Sequence, residues 1–328
     1  MKRINLALQG GGAHGAFTWG VLDAFLEDGR LELAGVSGTS AGAMNAVALA
    51  DGLRQGGPDV ARAHLRQFWR ATSVDGDYCD AERNVLHAWL GFLKPFTVTP
   101  ASFFAPAELN PFDINALRTV VENAVDFAGL RASEGPKLFV SATNVWTGKA
   151  RVFHREELTI DMLMASACLP TVFRAVEIDG EPYWDGGYAG NPALFPFFYE
   201  TDCADIVLVQ INPVERRETP DTAVEIASRV NEITFNSSLL HEFRAIDLVA
   251  RLIDEGRLDG AHYRKVRMHR VDGGAHLKGY GAESKTRTDW DFFQELFARG
   301  RQAGADFLRD TYEAIGVQGT LDLRKQFG

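Results

Sequence analysis

The sequence has few cysteines, which excludes the folds that depend on them. Only three occur among 328 residues, Cys79, Cys168 and Cys203, and no two of them form a CxxC pair. A disulfide framework needs a dense, even set of cysteines, and a cysteine zinc site needs paired thiolates. No other cluster of metal-ligating residues is visible. We therefore expect neither a disulfide framework nor a metal, and a chain of this length buries enough surface to fold without them.

The sequence also lacks an excess of basic residues. Lys plus Arg number 34 against 44 for Asp plus Glu, so the net charge is −10. Nonspecific nucleic-acid binding depends on neutralising phosphates and releasing their counterions, which an acidic chain does poorly. The same balance gives little attraction to anionic membranes. We therefore expect no nucleic-acid partner.

Long hydrophobic runs are missing as well. The N-terminal sequence MKRINLALQGGGAHG has an apolar stretch of only about five residues, too short for a signal peptide. No run approaches the ~20 apolar residues of a membrane span. Hydrophobic residues make up 46% and charged residues 24%, which is ordinary for a globular protein. The sequence thus predicts a cytoplasmic globular protein.

Short apolar segments alternate with segments of helical pattern along the first two thirds of the chain. Strands are predicted at 4–9, 33–37, 137–145, 150–154 and 205–211, and helices at 13–27, 41–55, 113–125 and from 160 to before Pro170. Such alternation predicts a mostly parallel α/β sheet. A proline-punctuated, aromatic segment at 72–113 interrupts it, and long loops of this kind are often functional.

After Asn212 the pattern changes. A charged linker at 213–221 leads into a stretch at 222–255 with apolar residues at helical spacing, followed by a predicted strand at 264–271 and a helix at 289–314. The apolar face of the long helix either packs internally or against a second subunit, and the sequence does not distinguish these. We place a domain boundary at residue 212.

A pentapeptide, Gly38-Thr39-Ser40-Ala41-Gly42, lies between the second predicted strand and the next helix. This is the pattern of a nucleophile elbow, G-x-S-x-G. Glycines at positions 38 and 42 leave room for the sharp turn that exposes the serine hydroxyl near N–H groups at the helix start. The alternative is a turn without chemistry, which a chain with 32 glycines can produce by chance. Because strand and helix flank it, we interpret Ser40 as the candidate nucleophile.

A second glycine cluster, Gly10-Gly11-Gly12-Ala13-His14-Gly15, lies between the first strand and the first helix. It satisfies the dinucleotide fingerprint G-x-G-x-x-G, but that fingerprint expects an acidic residue at the end of the second strand, where this chain has the elbow instead. The other interpretation is an oxyanion hole, because consecutive glycines allow close approach and leave N–H donors free. We favour the oxyanion hole, formed by Gly10, Gly11 and Gly12.

A serine nucleophile also needs a base. In an ordinary α/β-hydrolase this is a late histidine, and four are present: His241, His262, His269 and His276. None lies in a convincing signature. Asp185 follows a probable strand, and Gly186 and Gly187 after it allow a tight turn; a buried aspartate can have a raised pKa and act as a base. The alternative is an ordinary Asp-Gly turn.

Together, the cluster at 10–15, the pentapeptide at 38–42 and Asp185-Gly186-Gly187 resemble the patatin-like phospholipase family. The segment at 165–170, ASACLP, is also similar to that family's small-residue helix ahead of the aspartate. The resemblance covers residues 4–212. It implies a three-layer α/β/α fold with a Ser40–Asp185 dyad, an oxyanion hole in the glycine loop and no catalytic histidine. Where the family usually has Arg or Lys, this chain has His14, so we expect its support of the loop to be weaker and pH-dependent.

The resemblance implies a serine acyl hydrolase, a phospholipase-like carboxylic ester hydrolase of lipid degradation that works through an acyl-enzyme and without a cofactor. The alternatives are a thioesterase or a polyhydroxyalkanoate depolymerase on the same site, or a degenerate lipid-binding module. The expected partner is a lipid or acyl ester, with peripheral contact to a membrane or lipid granule and self-association through the C-terminal helices. We divide the chain into a catalytic domain, 1–212, and a mainly helical extension, 213–328, which we expect to be dispensable for the chemistry.

Overall fold

The structure is a computed structural model that describes residues 1–74, 115–170, 173–260 and 262–327. Nearly all of the aromatic segment at 72–113 lies outside these ranges, as do Cys79 and Asp113, the predicted start of a helix. Cys168 and Cys203 are both buried.

Eight strands form one sheet that is parallel at its centre. Their bounds are β1 Lys2–Leu8, β2 Leu31–Thr39, β3 Lys137–Asn144, β4 Ala150–His154, β5 Val176–Ile178, β6 Glu181–Asp185, β7 Asp205–Gln210 and β8 Arg267–Asp272. The order is β5-β6-β3-β2-β1-β7-β8, and β4 pairs separately with β3. The five strands from β3 to β8 in this order are parallel, whereas β4, β5 and β6 are antiparallel additions beside β3.

Helices cover both faces of this sheet. Within the described ranges they are α1 Gly15–Asp28, α2 Ala41–Gly56, α3 Pro58–Ala71, α4 Ala116–Ala124, α5 Phe127–Ala132, α6 Ile160–Ser166, α7 Phe195–Glu200, α8 Ala223–Asp254, α9 Trp290–Thr311 and α10 Arg324–Phe327. Successive strand residues point to opposite faces, so Leu6 packs in the core under α1, α2 and α9 while Ala7 packs in the core under α7 and α8. Both faces of the central strands are therefore buried, and the predicted three-layer α/β/α fold is confirmed.

Several local interactions fix the ends of these helices. Gly29 ends α1 in the left-handed conformation, with φ of 69°, and its N–H donates to the Phe25 carbonyl. Pro58 lies in the first turn of α3, where its missing N–H costs nothing. Thr222 and Glu225 form a capping box that starts α8.

The part of the chain after residue 212 is helical, as predicted, but it also completes the sheet and one helical layer. β8 pairs in parallel with β7. α9 packs along α1 through close backbone approach: a Cβ atom on Gly20 would overlap the Phe297 carbonyl oxygen, and one on Gly300 would overlap that of Phe17. We call Gly20 and Gly300 the glycine seam. None of the described helices is long and apolar enough to cross a bilayer.

Candidate active site

Ser40 occupies the sharp turn between β2 and α2. Its φ of 54° and ψ of −123° are unusual for a residue with a side chain, and such strain persists where the surroundings enforce it. A Cβ atom on Gly42 would overlap the Leu8 carbonyl oxygen, and one on Gly38 would lie 2.5 Å from the Gly42 oxygen. The two glycines of the pentapeptide are thus required by packing, and Ser40 remains partly exposed.

The α6 segment holds both Ser40 and Asp185. The Ser40 N–H donates to the Ser166 hydroxyl at 3.0 Å, and the Asp185 N–H donates to the Cys168 carbonyl at 2.8 Å. Both acceptors lie in the small-residue stretch ASACLP. This stretch therefore fixes the backbone of the candidate nucleophile and of the candidate base at the same time.

Asp185 is the last residue of β6 and is fully buried. One carboxylate oxygen, Oδ1, accepts the Gly187 N–H at 2.7 Å, and the Thr143 hydroxyl donates to the Asp185 carbonyl at 2.8 Å. A Cβ atom on Gly186 would overlap the Ser141 carbonyl oxygen, so this turn needs a glycine. Burial raises the pKa of Asp185 to about 7, and the Gly187 N–H and the Ser40 hydroxyl only partly oppose this.

Ser40 and Asp185 lie close together, but no hydrogen bond of normal geometry joins their side chains. The Ser40 hydroxyl is near enough to lower the pKa of Asp185. Yet Oδ2 of Asp185 has no hydrogen bond of normal geometry with any described residue. Catalytic hydrogen bonds are often long without substrate and tighten when it binds.

The glycine loop lies against Ser40. A Cβ atom on Gly10 would be 2.8 Å from the Ser40 Cβ. The Gly10 N–H, however, is already used, because it donates to the Asn191 side-chain oxygen at 2.7 Å. Among the described residues, the N–H groups of Gly11 and Gly12 have no acceptor. Among the described residues, the unused donors of this loop are therefore the N–H groups of Gly11 and Gly12, and the oxyanion hole itself stays a prediction.

His14 is buried beside this loop. Its Nε2 is 2.7 Å from the Ser284 hydroxyl, while Nδ1 has no partner within the described part of the chain. Burial and the positive charges of Lys285 and Arg216 lower the pKa of His14 to about 3. A pKa this low favours the neutral ring near pH 7, and support of the loop by His14 stays a prediction.

The late histidines lie in other surroundings. His262 pairs with Asp259 on the surface, and His276 rests against the ring of Phe17. His269 is fully buried in β8, where its ring nitrogens contact Asp205 and Thr320. His241 is an exposed residue of α8. No contact of these side chains with described residues reaches Ser40 or Asp185, so the geometry gives them no part in a triad.

Four residues at this site were missed by sequence reasoning as individual contributors: Ser166, Asn191, Asn212 and Lys285. Ser166 lies in the stretch ASACLP, but the other three are common residue types outside a recognised pattern, and each of the four acts on a residue far away in the sequence. For Asn212 the available signal was its position, with Gln210, at the end of β7, because ligand sites lie at the carboxyl ends of parallel strands.

The arrangement combines a partly exposed hydroxyl, a buried carboxylate with a raised pKa and free backbone donors. Acyl transfer requires a nucleophile, a base and anion-stabilising donors, and this arrangement offers a candidate for each. The described residues contain no group of three His, Cys, Asp or Glu side chains suited to a metal.

Comparisons with known proteins place this geometry in a family. The family model described as patatin-like phospholipase matches residues 6–198. Among solved structures, VipD from Legionella pneumophila is similar over 93% of this chain and 67% of that chain, with a TM-score of 0.40 and 15% identity. The search of curated proteins found no match. The matched range contains the glycine loop, Ser40 and Asp185, and it ends before Lys285.

Proposed function

Because the chain belongs to the patatin-like phospholipase family and is therefore a lipid hydrolase, we propose that it cleaves acyl esters through a Ser40–Asp185 dyad. The observation that carries this is the pairing of a strained, partly exposed serine with a fully buried aspartate whose pKa is raised to about 7. A base of this pKa is half ionised near neutral pH, where it can both accept and return a proton.

In the first half of the reaction, Ser40 Oγ attacks the ester carbonyl carbon while its proton moves to Asp185. The carbonyl oxygen becomes an oxyanion, which the N–H groups of Gly11 and Gly12 stabilise. The tetrahedral intermediate then breaks its bond to the leaving alkoxide, and Asp185 returns the proton to that oxygen. The alcohol leaves, and the acyl group remains on Ser40.

In the second half, a water molecule takes the place of the alcohol. Asp185 accepts a proton from the water, whose oxygen attacks the acyl carbon. A second oxyanion forms in the same loop and collapses, Ser40 regains its proton from Asp185, and the carboxylic acid is released. The same two side chains serve both halves, so no histidine is required.

The surroundings of the dyad suit an acyl substrate. Tyr188, three residues after Asp185, is partly exposed, and its ring packs edge-on against Phe235 beside Gly187. Phe235 belongs to α8, and Leu239 and Phe243 of this helix are buried. Three apolar residues of the same helix are about half exposed: Ile226 at 47%, Val230 at 57% and Ile233 at 55%. Contact of this exposed face with a lipid surface, and self-association through it, both stay predictions, as does the boundary at residue 212.

Ser40→Ala and Asp185→Asn test the dyad. Loss of the nucleophile should lower kcat/KM on a short-chain p-nitrophenyl ester by about 10⁴-fold or more and should abolish labelling by a fluorophosphonate. Asp185→Asn keeps an oxygen for the Gly187 N–H but cannot accept a proton, so we expect a loss of about 10³-fold. Both variants should remain folded, because each nearly preserves shape.

The comparison between a dyad and a triad uses three histidine variants, His262→Ala, His269→Ala and His276→Ala. In a dyad each keeps kcat/KM within about tenfold of the unmodified protein. A histidine whose removal matches the loss in Ser40→Ala would instead establish a triad. Retention of more than about a tenth of the activity in Ser40→Ala would refute covalent catalysis at this serine.

A further inference from the structure

A short turn of the C-terminal part lies directly against the glycine loop. This 3-10 turn, Ala282–Thr286, makes two contacts there. The carbonyl of Lys285 fills the space that a side chain on Gly12 would need, and the Ser284 hydroxyl contacts His14, 270 residues earlier in the chain. The family match ends at residue 198, so the turn is an element that the family pattern does not account for.

A chain of hydrogen bonds connects Lys285 to the loop. Lys285 Nζ donates to Asn212 Oδ1 at 2.7 Å, and Asn212 Nδ2 donates to the Gly10 carbonyl at 2.7 Å. An ammonium group can only donate, and a carbonyl can only accept. Lys285 therefore requires the Asn212 oxygen on its side, which leaves the Nδ2 group facing Gly10.

This series of hydrogen bonds ends at the Gly10–Gly11 peptide group, whose N–H is a proposed oxyanion donor. The Gly10 carbonyl and the Gly11 N–H belong to the same planar peptide. A hydrogen bond to the carbonyl polarises this peptide and makes its N–H a stronger donor. The Gly10 N–H is held in turn by Asn191, so the peptide on each side of Gly10 is fixed in direction. Donors fixed before the reaction are what stabilises a developing oxyanion.

We propose that Lys285 is a positioning residue of the oxyanion hole, which acts through Asn212 to orient and polarise the Gly10–Gly11 peptide. This rests on the proposed function at Ser40. The electrostatics agree with it: burial and Arg216 lower the pKa of Lys285 to about 8, while Glu232 opposes them, so the side chain is still mostly charged at neutral pH. His14, which also contacts this turn, is uncharged at neutral pH.

The test uses the full chain and compares two lysines of the same C-terminal loop. Lys285→Met keeps most of the side-chain volume but removes the charge and the donor. Lys278→Met removes the same charge from an exposed position. On p-nitrophenyl butyrate, Lys285→Met should lower kcat by about 10- to 100-fold with KM within about threefold, because a positioning residue should cost less than a direct oxyanion donor. Lys285→Arg should recover kcat to within about fivefold of the unmodified protein, and Lys278→Met should change neither constant.

Asn212→Asp keeps the proposal testable if Lys285→Met does not fold. This variant can still pair with Lys285, but its carboxylate cannot donate to the Gly10 carbonyl, so kcat should again fall by about tenfold or more with KM preserved. A folded Lys285→Met or Asn212→Asp protein with kcat within about threefold of the unmodified protein would overturn the proposal, as would equal losses in Lys285→Met and Lys278→Met. Fluorophosphonate labelling separates this from failure of the proposed function: if Ser40 of the unmodified protein does not react, both proposals are wrong.

Discussion

At the scale of single residues, the proposed dyad places two opposing requirements on Asp185. As the proposed base it has to be ionised to accept the proton of Ser40, but complete burial disfavours the charged form. With the described residues, Oδ1 has a normal hydrogen bond, from Gly187, and Oδ2 has none. The result is a pKa of about 7, at which the base is strong enough to act and still ionised in part at neutral pH.

This pKa predicts the pH dependence of the reaction. Because the ionised form is the active base, kcat/KM should fall about tenfold for each pH unit below 7 and level off above it. The measurement is the rate on p-nitrophenyl butyrate between pH 5 and 8, with circular dichroism at each pH to confirm that the protein stays folded. A rate that stays constant down to pH 5 would show that Asp185 is not the base, or that its pKa is not raised.

The residues that could be predicted from the sequence are those that lie in recognisable local motifs. Ser40 and Asp185 lie in short glycine-flanked motifs, so a few adjacent letters point to them. Asn191 and Asn212 lie in no such motif, because their importance comes from contacts with Gly10, about 200 residues away. A single sequence contains no local signal for such long-range contacts.

At the scale of elements, the contact between α1 and α9 depends on the glycine seam. α1 begins directly after the glycine loop, so α9 supports the helix on which that loop is mounted. The backbones approach so closely that a methyl group on Gly20 or Gly300 would overlap a carbonyl oxygen of the other helix. The seam therefore fixes the separation and the register of the two helices.

Gly300→Ala tests this contact. In a helix with space around it, glycine to alanine stabilises by about 1 kcal/mol, whereas overpacking a close contact typically costs about 1–3 kcal/mol. We expect the overlap to dominate and the free energy of unfolding to fall, which urea denaturation measures. Gly260→Ala, in the turn after α8, controls for the added methyl group itself, because a Cβ atom there would make an ordinary contact at 3.6 Å with Ile253. Unchanged or increased stability in Gly300→Ala would contradict the seam.

The positions of the strands and helices were predicted more completely than the contacts that these elements make with one another. β8 was expected as a strand, but its pairing with β7 was not, because an apolar pattern gives a strand's buried faces and not its neighbour. The apolar face of α8 was expected, but the pattern could not tell that Leu239 and Phe243 are buried while Ile226 and Val230 are exposed. Periodicity is local, whereas packing depends on the whole chain.

At the scale of the whole molecule, the part after residue 212 cannot be removed without exposing surfaces of residues 1–212 that it buries. Its absence would uncover the apolar face of α1 that α9 buries, the edge of β7 that β8 pairs and the glycine loop that Lys285 contacts. That the chemistry itself can proceed without this part stays a prediction, but these contacts tie it to the stability of the fold.

A chain ending at residue 220 should therefore be insoluble or fail to react with a fluorophosphonate. Unpaired strand edges and large apolar patches promote aggregation. Soluble expression, circular dichroism and labelling at Ser40 measure the outcome, and the full chain is the reference. A folded truncated chain that is labelled as fast as the full one would show that the C-terminal part supports neither the fold nor the site.

The central position of β1 has a consequence for synthesis. β1 is made before the other strands of this sheet, but it lies between β2 and β7, and β7 begins only at Asp205. At translation rates of about 5–20 residues per second, one edge of β1 waits roughly 10–40 s for its partner. Lys285 is made later still. On our assignment, a nascent chain therefore contains its nucleophile well before the contacts that order its oxyanion hole can form, and it can cleave lipids only after Lys285 has left the ribosome.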